Sequence, residues 1–402
     1  MIAGMLLAAI PAFAALSLSD SEQRGAANNV QVQTALATVR QREATLHIAR
    51  ATGIPHFAAD YSLAPQAGPA NAGTVEQHFV SVGLGISIND IFAASDAVRA
   101  ASAELLVAQR NADAAVIAAR ESTAKLYFAA LQAIAIERLR GDSVAGAQRD
   151  RAAADLRVRS GESPRLDVVR ADVTLAQARA DLVRAQADRA DAVDALASAT
   201  SLEPSRLSTL TVAPSLITAL PSETRAVARA LAMRPEVSAL LATIEARAAD
   251  VAGARRSAIP NATIQGGYQR GVDTGIPVQG PQVTAHLDVP LAPTGRDKVI
   301  VAQSQVDVAR VQLLEERRTL TLEIQSAIRD ARAADAAAQA AERGRDEAKR
   351  ALDAVEVGYR EGASSSLDVA DARRTYEQAS VDALTAEYRR ALSFAILEVI
   401  VP

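Results

Sequence analysis

The chain has 402 residues, a formal net charge of −4 and no cysteine. So small a charge, with acidic and basic residues interleaved, excludes a nucleic-acid surface. The missing cysteines exclude disulfides, thiolate metal sites, a cysteine nucleophile and an acylated N-terminal cysteine. Hydrophobic residues reach 49% but aromatics only 3%, so the apolar content suits long Ala-rich helices packed along seams.

Met1–Ala15 is apolar and ends Ala12-Phe13-Ala14, the small-x-small form of a secretory cleavage site, so a signal peptide is predicted over 1–15. No Lys or Arg precedes the apolar run; the other reading is a buried N-terminal helix. The run is too short to span a bilayer as a helix, and no later segment is apolar for long enough.

Ser19 or Asp20 is a candidate N-cap for a helix from about Ser21 to Thr52, which Gly53-Ile54-Pro55 stops. Beyond it the period changes to two. Val80, Val82, Leu84, Ile86 and Ile88 alternate with Ser81, Gly83, Gly85 and Ser87, which predicts a strand over His78–Ile88. A weaker strand over Phe57–Leu63 and a Gly/Pro-rich loop over Ala64–Thr74 complete a hairpin. Phe92–Arg159 then reads as helix, about 100 Å long if straight, with Gly141 and Gly146 as candidate interruptions.

Arg159-Ser160-Gly161-Glu162-Ser163-Pro164 cannot continue a helix cheaply and reads as a turn. Arg165-Leu166-Asp167-Val168 opens a return helix over Pro164–Thr200, with Leu175, Leu182 and Leu196 on seven-residue spacing. A linker with Pro204, Pro214 and Pro221 follows, over Ser201–Ser222.

The order then repeats. A helix opens at Arg234-Pro235-Glu236, runs to Arg256 and stops at Ile259-Pro260, an offset of 205 from Pro55. Strands are predicted over Ala262–Arg270 and Val283–Val289, with a loop over Gly271–Pro281. A long helix after Pro293 carries Val299, Val306, Leu313, Leu320 and Ala327 at seven-residue spacing, a left-handed coiled-coil seam. Gly362, Leu367, Asp368 and Val369 repeat Gly161, Leu166, Asp167 and Val168 at an offset of 201. The change of offset places a four-residue difference ahead of the strands. Ser365–Glu398 is the second return helix.

The chain is therefore read as a first repeat over 16–200, a linker over 201–222 and a second repeat over 223–402. The fold class is mainly α with a small β part: duplicated long helical hairpins plus two β-hairpins. The strands, about ten residues long, could cross a bilayer if tilted. Four strands cannot close a barrel, and open edges are not tolerated in lipid, so the membrane reading requires several subunits. The other reading is a small sheet lying against the helices of a soluble protein.

Signal, helix, Pro, β-hairpin, long helix, Gly turn and Leu-Asp-Val helix, the structural part twice over, resembles the TolC-like outer-membrane efflux channel family. Gly358-Tyr359-Arg360-Glu361-Gly362 followed by Leu367-Asp368-Val369-Ala370-Asp371-Ala372 is its most specific piece. The resemblance implies a homotrimer, with a twelve-stranded barrel in the outer-membrane lipid and an α-helical periplasmic tunnel. It implies a passive duct of a tripartite efflux or type I secretion system, working with a periplasmic adaptor (membrane fusion) protein and an inner-membrane transporter. It also implies a periplasmic gate at Asp368 and Asp371, with Asp167 and Tyr359, and adaptor docking at the turns of Ser160, Gly161, Glu361 and Gly362. Six gathered carboxylates would attract cations and raise each other's pKa. Asp167 and Asp368 are equally placed to complement their helix dipoles, and Tyr359 to pack between helices. Two departures stand out. Arg170 occupies the first-repeat position of Asp371, and Ala363 and Ser364 stand where a basic residue follows the second Gly in the family.

The four histidines, His47, His56, His78 and His286, lack ligand spacing, so neither a metal site nor a cofactor is expected. No Ser-His-Asp set or phosphate loop appears, and Gly83-x-Gly85 is too short for a dinucleotide fingerprint. An enzyme is not expected. The alternative function is a soluble coiled-coil scaffold or adaptor-like interaction protein.

Overall fold

The computed structural model describes residues 16–67, 74–208, 210, 220–256, 259–273, 276–289 and 294–401. The predicted signal segment lies outside them. Helix α1 covers Leu18–Asn28 and α2 covers Val30–Ala51. Sequence predicts one helix here; the break is at Asn29, whose Oδ1 accepts from the backbone N–H of Gln31 (2.8 Å) and Val32 (3.3 Å). An Asn that bonds the next turn caps a new helix rather than continuing the old one. The cap of α1 is Ser17, not Ser19 or Asp20; its Oγ accepts from the Asp20 N–H.

Strands β1 (His56–Ala67) and β2 (Thr74–Ser87) lead into α3 (Ile88–Arg159), 72 residues unbroken by Gly141 or Gly146. Ile88, predicted as strand, is the first residue of α3. Helix α4 covers Arg165–Thr200, and a 3₁₀ turn covers Pro204–Ser208. The second half repeats the order with α5 (Glu223–Met233), α6 (Pro235–Arg256), β3 (Asn261–Asp273), β4 (Ile276–Asp288), α7 (Gly295–Arg360) and α8 (Ser366–Ile400). The pair α1 and α2 reappears as α5 and α6 at a constant offset of 205, as does the start of β1 in that of β3. The ends of β2 and β4 differ by 201. The four-residue difference therefore lies inside the hairpin, between 67 and 74 against 273 and 276, and not ahead of the strands.

The strands form one antiparallel sheet in the order β1-β2-β3-β4, so β1 and β4 are its edges. Both hairpins are longer than sequence predicts. Most of Gly271–Pro281 is strand: Pro277 and Pro281 stand in register with Val272 and Tyr268 on β4, an edge strand of this sheet, where Pro is tolerated. Register aligns the apolar residues on one face: Phe57 opposite Leu84, Tyr61 opposite Val80, Val82 opposite Tyr268, Ile264 opposite Ala285. That face is bare, with Tyr268 52% and Val283 79% exposed. The opposite face is polar, and Gln265 Nε2 donates to Asp60 Oδ2 (3.1 Å) across β2, where β2 carries Gly83 and Gly85.

The chain divides into two compact units, each drawing on both halves. One joins Thr34–Asp113 to Pro235–Arg317 and holds the sheet; the other joins Ala114–Arg234 to Arg318–Pro402 and the segment ending at Gln33. The second unit has a core of Tyr127, Phe128, Leu131, Leu196, Leu207 and Ala395. Its buried Tyr127 hydroxyl donates to the Leu16 carbonyl (2.8 Å). On α7, Val306, Leu313 and Leu320 are buried as predicted, but Val299 and Ala327 at the two ends of the predicted seam are only half-buried, and Ile324 and Ile328 are buried beyond Leu320. A helix of 3.6 residues per turn drifts off a strict seven-residue spacing. On α4, Leu175 and Leu196 are buried and Leu182 is half-buried.

Candidate functional site at the helical tips

The two tip turns share one backbone geometry. Gly161 and Gly362 both adopt φ +81°, a left-handed conformation that only Gly takes without strain. The Glu162 N–H reaches back to the Arg157 carbonyl (2.9 Å) and the Ala363 N–H to the Gly358 carbonyl (2.7 Å), closing the ends of α3 and α7. Ser160, Gly161, Glu361 and Gly362 are all exposed.

Beyond the turns the repeats diverge. Helix α8 has a capping box: the Asp368 N–H donates to Ser365 Oγ (3.2 Å), and Ser365 donates its N–H and hydroxyl to Asp368 Oδ2 (both 2.8 Å). Those Ser365 bonds hold the exposed Asp368 carboxyl below the usual range. This opposes the upward shift expected of a ring of carboxylates. Helix α4 has Pro164 at the same place and no side-chain cap. Its Asp167, the counterpart of Asp368, turns instead to the other hairpin. It is buried and accepts from Ser366 Oγ of α8 at 2.6 Å. Arg170 completes the tie, 3.8 Å from Asp167 and 3.3 Å from Ser366 Oγ. A hydrogen bond to a charged group is worth about 1.5–3 kcal/mol.

Asp371 stays exposed beside Arg374 (3.5 Å). Tyr359 is half-buried beneath the guanidinium of Arg157, 4.5 Å from the ring centroid. The predicted gate residues thus occupy one tip without forming one cluster: Asp368 caps, Asp371 faces outward, Asp167 cross-links and Tyr359 packs under a cation. Sequence reasoning missed Ser366, Arg157 and Arg373, because each meets its partner on a distant helix. Their only local signal was the placement of a Ser and an Arg around Leu367-Asp368. The four helices surround a cavity of about 680 Å³ lined by Ala147, Arg157, Asp167, Leu352, Tyr359 and Arg373 among others.

Among the described residues no group of His, Asp or Glu is placed to hold a metal. No described helix is long and apolar enough to cross a membrane.

The architecture is that of bacterial outer-membrane channels. The chain superposes on a membrane protein from Pseudomonas aeruginosa with a TM-score of 0.81 at 19% identity, covering 96% of this chain and 93% of that one. It superposes on the Campylobacter jejuni CmeC outer membrane channel at 0.80 and 20% identity, covering 95% and 85%. For the open state of the Neisseria gonorrhoeae MtrE outer membrane channel the values are 0.73 and 20%, covering 96% and 88%. No curated protein sequence matches the chain. The model of the outer membrane efflux protein family matches residues 23–201 and 226–401, and the chain belongs to that family. It is a channel subunit of the outer membrane, serving efflux, with its helices reaching into the periplasm; the soluble scaffold reading is set aside.

Proposed function

We propose that three copies join edge to edge, β4 of one against β1 of the next, and form the passive exit duct of a tripartite efflux or type I secretion system. The observation that carries this is the four-stranded sheet with one bare apolar face and two free edges. In lipid both edges must be paired. Two copies would give eight strands, an interior about filled by side chains, whereas three give twelve and leave a lumen. The polar face, with Asp60, Ser81 and Gln265, then lines the pore.

The duct performs no bond chemistry; an inner-membrane transporter supplies the energy through a periplasmic adaptor. That adaptor docks at the exposed turns containing Ser160, Gly161, Glu361 and Gly362. The tips form the gate, where Asp368 and Asp371 of three copies set cation preference and Asp167 and Tyr359 hold the hairpins together. The mature subunit consists of two repeats, 16–200 and 223–402, joined by 201–222, once a signal over 1–15 is removed.

Planar-bilayer recordings test the reading, with subunit mass measured on the same detergent-purified sample. Trimers giving small cation-selective openings, enlarged or less selective in Asp368→Ala/Asp371→Ala, are expected. Monomers that never insert would overturn the duct. Pores indifferent to the double substitution would overturn the gate alone.

A further inference from the structure

We propose that Arg270, with Tyr61, His78 and Gln279, forms a site on the apolar face of the sheet that binds the phosphate headgroup of an anionic lipid in the outer leaflet. The inference rests on the reading of that face as lipid-facing.

Register brings these residues together. Tyr61, Val80, Arg270 and Gln279 stand opposite one another on β1, β2, β3 and β4 and form one row across the sheet. His78 is two residues from Val80 on β2 and shares its face. The Tyr61 hydroxyl and His78 Nδ1 lie 3.2 Å apart and share a hydrogen bond. Diagonal neighbours on adjacent strands are about 7–8 Å apart, within reach of long side chains. His78 is diagonal to both Tyr61 and Arg270, so the three polar side chains surround Val80.

The charge needs a counterpart. Arg270 is exposed, and among the described residues it has no ion-pair partner. Toward the helices, the rows of this face from Tyr268 to Ala262 carry no charged residue. A lone cation against hydrocarbon is costly, and least so beside the headgroups. From Ala262 to Arg270 the strand rises about 27 Å along its own axis. Tilted by about 40°, it covers about 20 Å of an apolar band about 25 Å tall. Arg270 therefore lies close below the rim, and its stem can follow the apolar surface while its guanidinium meets the headgroups. The hairpin ends of the strands point away from the helices, which reach into the periplasm, so this rim belongs to the outer leaflet. A guanidinium takes two phosphate oxygens at once, and the neighbouring hydroxyl, imidazole and amide add hydrogen bonds. Val82 and Tyr268 in the next row offer acyl chains an apolar bed. A free phosphate gains nothing from that bed, so the occupant is a lipid.

The test is native mass spectrometry of the full-length, detergent-purified protein with three probes: bisphosphorylated lipid A, the same lipid with its phosphates removed, and inorganic phosphate. The wild-type protein is expected to hold the phosphorylated lipid about tenfold or more tightly than the dephosphorylated one, the worth of a charge-assisted hydrogen bond. Arg270→Gln is expected to lose that preference, Arg270→Lys to keep part of it, and inorganic phosphate not to displace the lipid. Equal binding of the two lipids by the wild-type protein overturns the proposal without recourse to any variant. So does an undiminished preference in Arg270→Gln, or displacement of the lipid by inorganic phosphate, which would make the site one for free anions. A wild-type protein that is monomeric and never inserts into bilayers removes the lipid-facing reading and this site with it. Trimers that insert but bind both lipids alike leave the duct standing and remove the site alone.

Discussion

Ser366 of the second hairpin donates a 2.6 Å hydrogen bond to the buried carboxylate of Asp167 in the first. The two residues are 199 positions apart and join repeats that the sequence presents as copies. The tie exists because Pro164 denies α4 the hydroxyl cap that Ser365 gives α8, leaving Asp167 free to bond elsewhere.

Ser366→Ala removes that bond and leaves Asp167 with Arg170 alone. The tip is expected to lose about 1.5–3 kcal/mol of local stability. Hydrogen exchange at the amides following Asp167 reads this directly. Unchanged protection there would mean that the bond contributes nothing to holding the hairpins together.

Asp368 carries a pH dependence of defined sign. Its carboxyl is held below the usual value, near 3.9, by the Ser365 bonds. A depressed carboxyl stabilises fully above the unfolded value and loses that contribution as pH falls through the folded one. The first turn of α8 is therefore expected to stay capped at neutral pH and to fray only below about pH 3.9. Carbon-detected titration of the Asp368 side chain, beside a Ser365→Ala control whose midpoint moves up, checks it.

Gly25 of α1 lies against Thr123 of α3 so closely that an added Cβ would sit 2.0 Å from Thr123 Oγ1. Gly25→Ala is expected to cost about 1–3 kcal/mol through overpacking. The clash is with a side chain, so Gly25→Ala/Thr123→Ala should recover much of the loss, a coupling that a double-mutant thermal-melt cycle measures. Purely additive losses would place the strain in the backbone instead.

Val82 and Ser81 are neighbours on β2 that point to opposite faces of the sheet. Val82→Arg puts a charge on the apolar face, a cost of about 2–4 kcal/mol near the middle of a bilayer, and should reduce outer-membrane assembly. Ser81→Arg faces the polar side and should assemble and alter conductance. Fractionation of the two variants, followed by recordings on Ser81→Arg, distinguishes the faces; equal assembly would contradict the lipid-facing assignment.

Much of this fold was legible because it rests on local rules. Period-two alternation from Val80 to Ile86 marked β2, Pro55 and Pro260 marked the ends of α2 and α6, and the two Gly turns marked the hairpin tips. Misreadings arose where a local rule competed with context. Asn29 broke a helix by capping the next one. Pro277 and Pro281 read as loop but lie in a strand, because that strand is an edge.

The sequence by itself determined the duplication, the order of the strands and long helices, and the positions of Asp167, Asp368, Asp371 and Tyr359, since propensity, capping and periodicity act within a few residues; the break between α1 and α2 and the short helix α5 escaped it. Only the tertiary structure decided what those residues do. Asp167 and Asp368 occupy equivalent positions, yet one bonds across the hairpins and the other caps its own helix. Arg373 looked like one more charge on a solvated face until α3 and α7 brought Asp150 and Glu356 to it. Partners joined across hundreds of residues leave no periodic trace along the chain, because the contact depends on which helix faces pack together rather than on spacing.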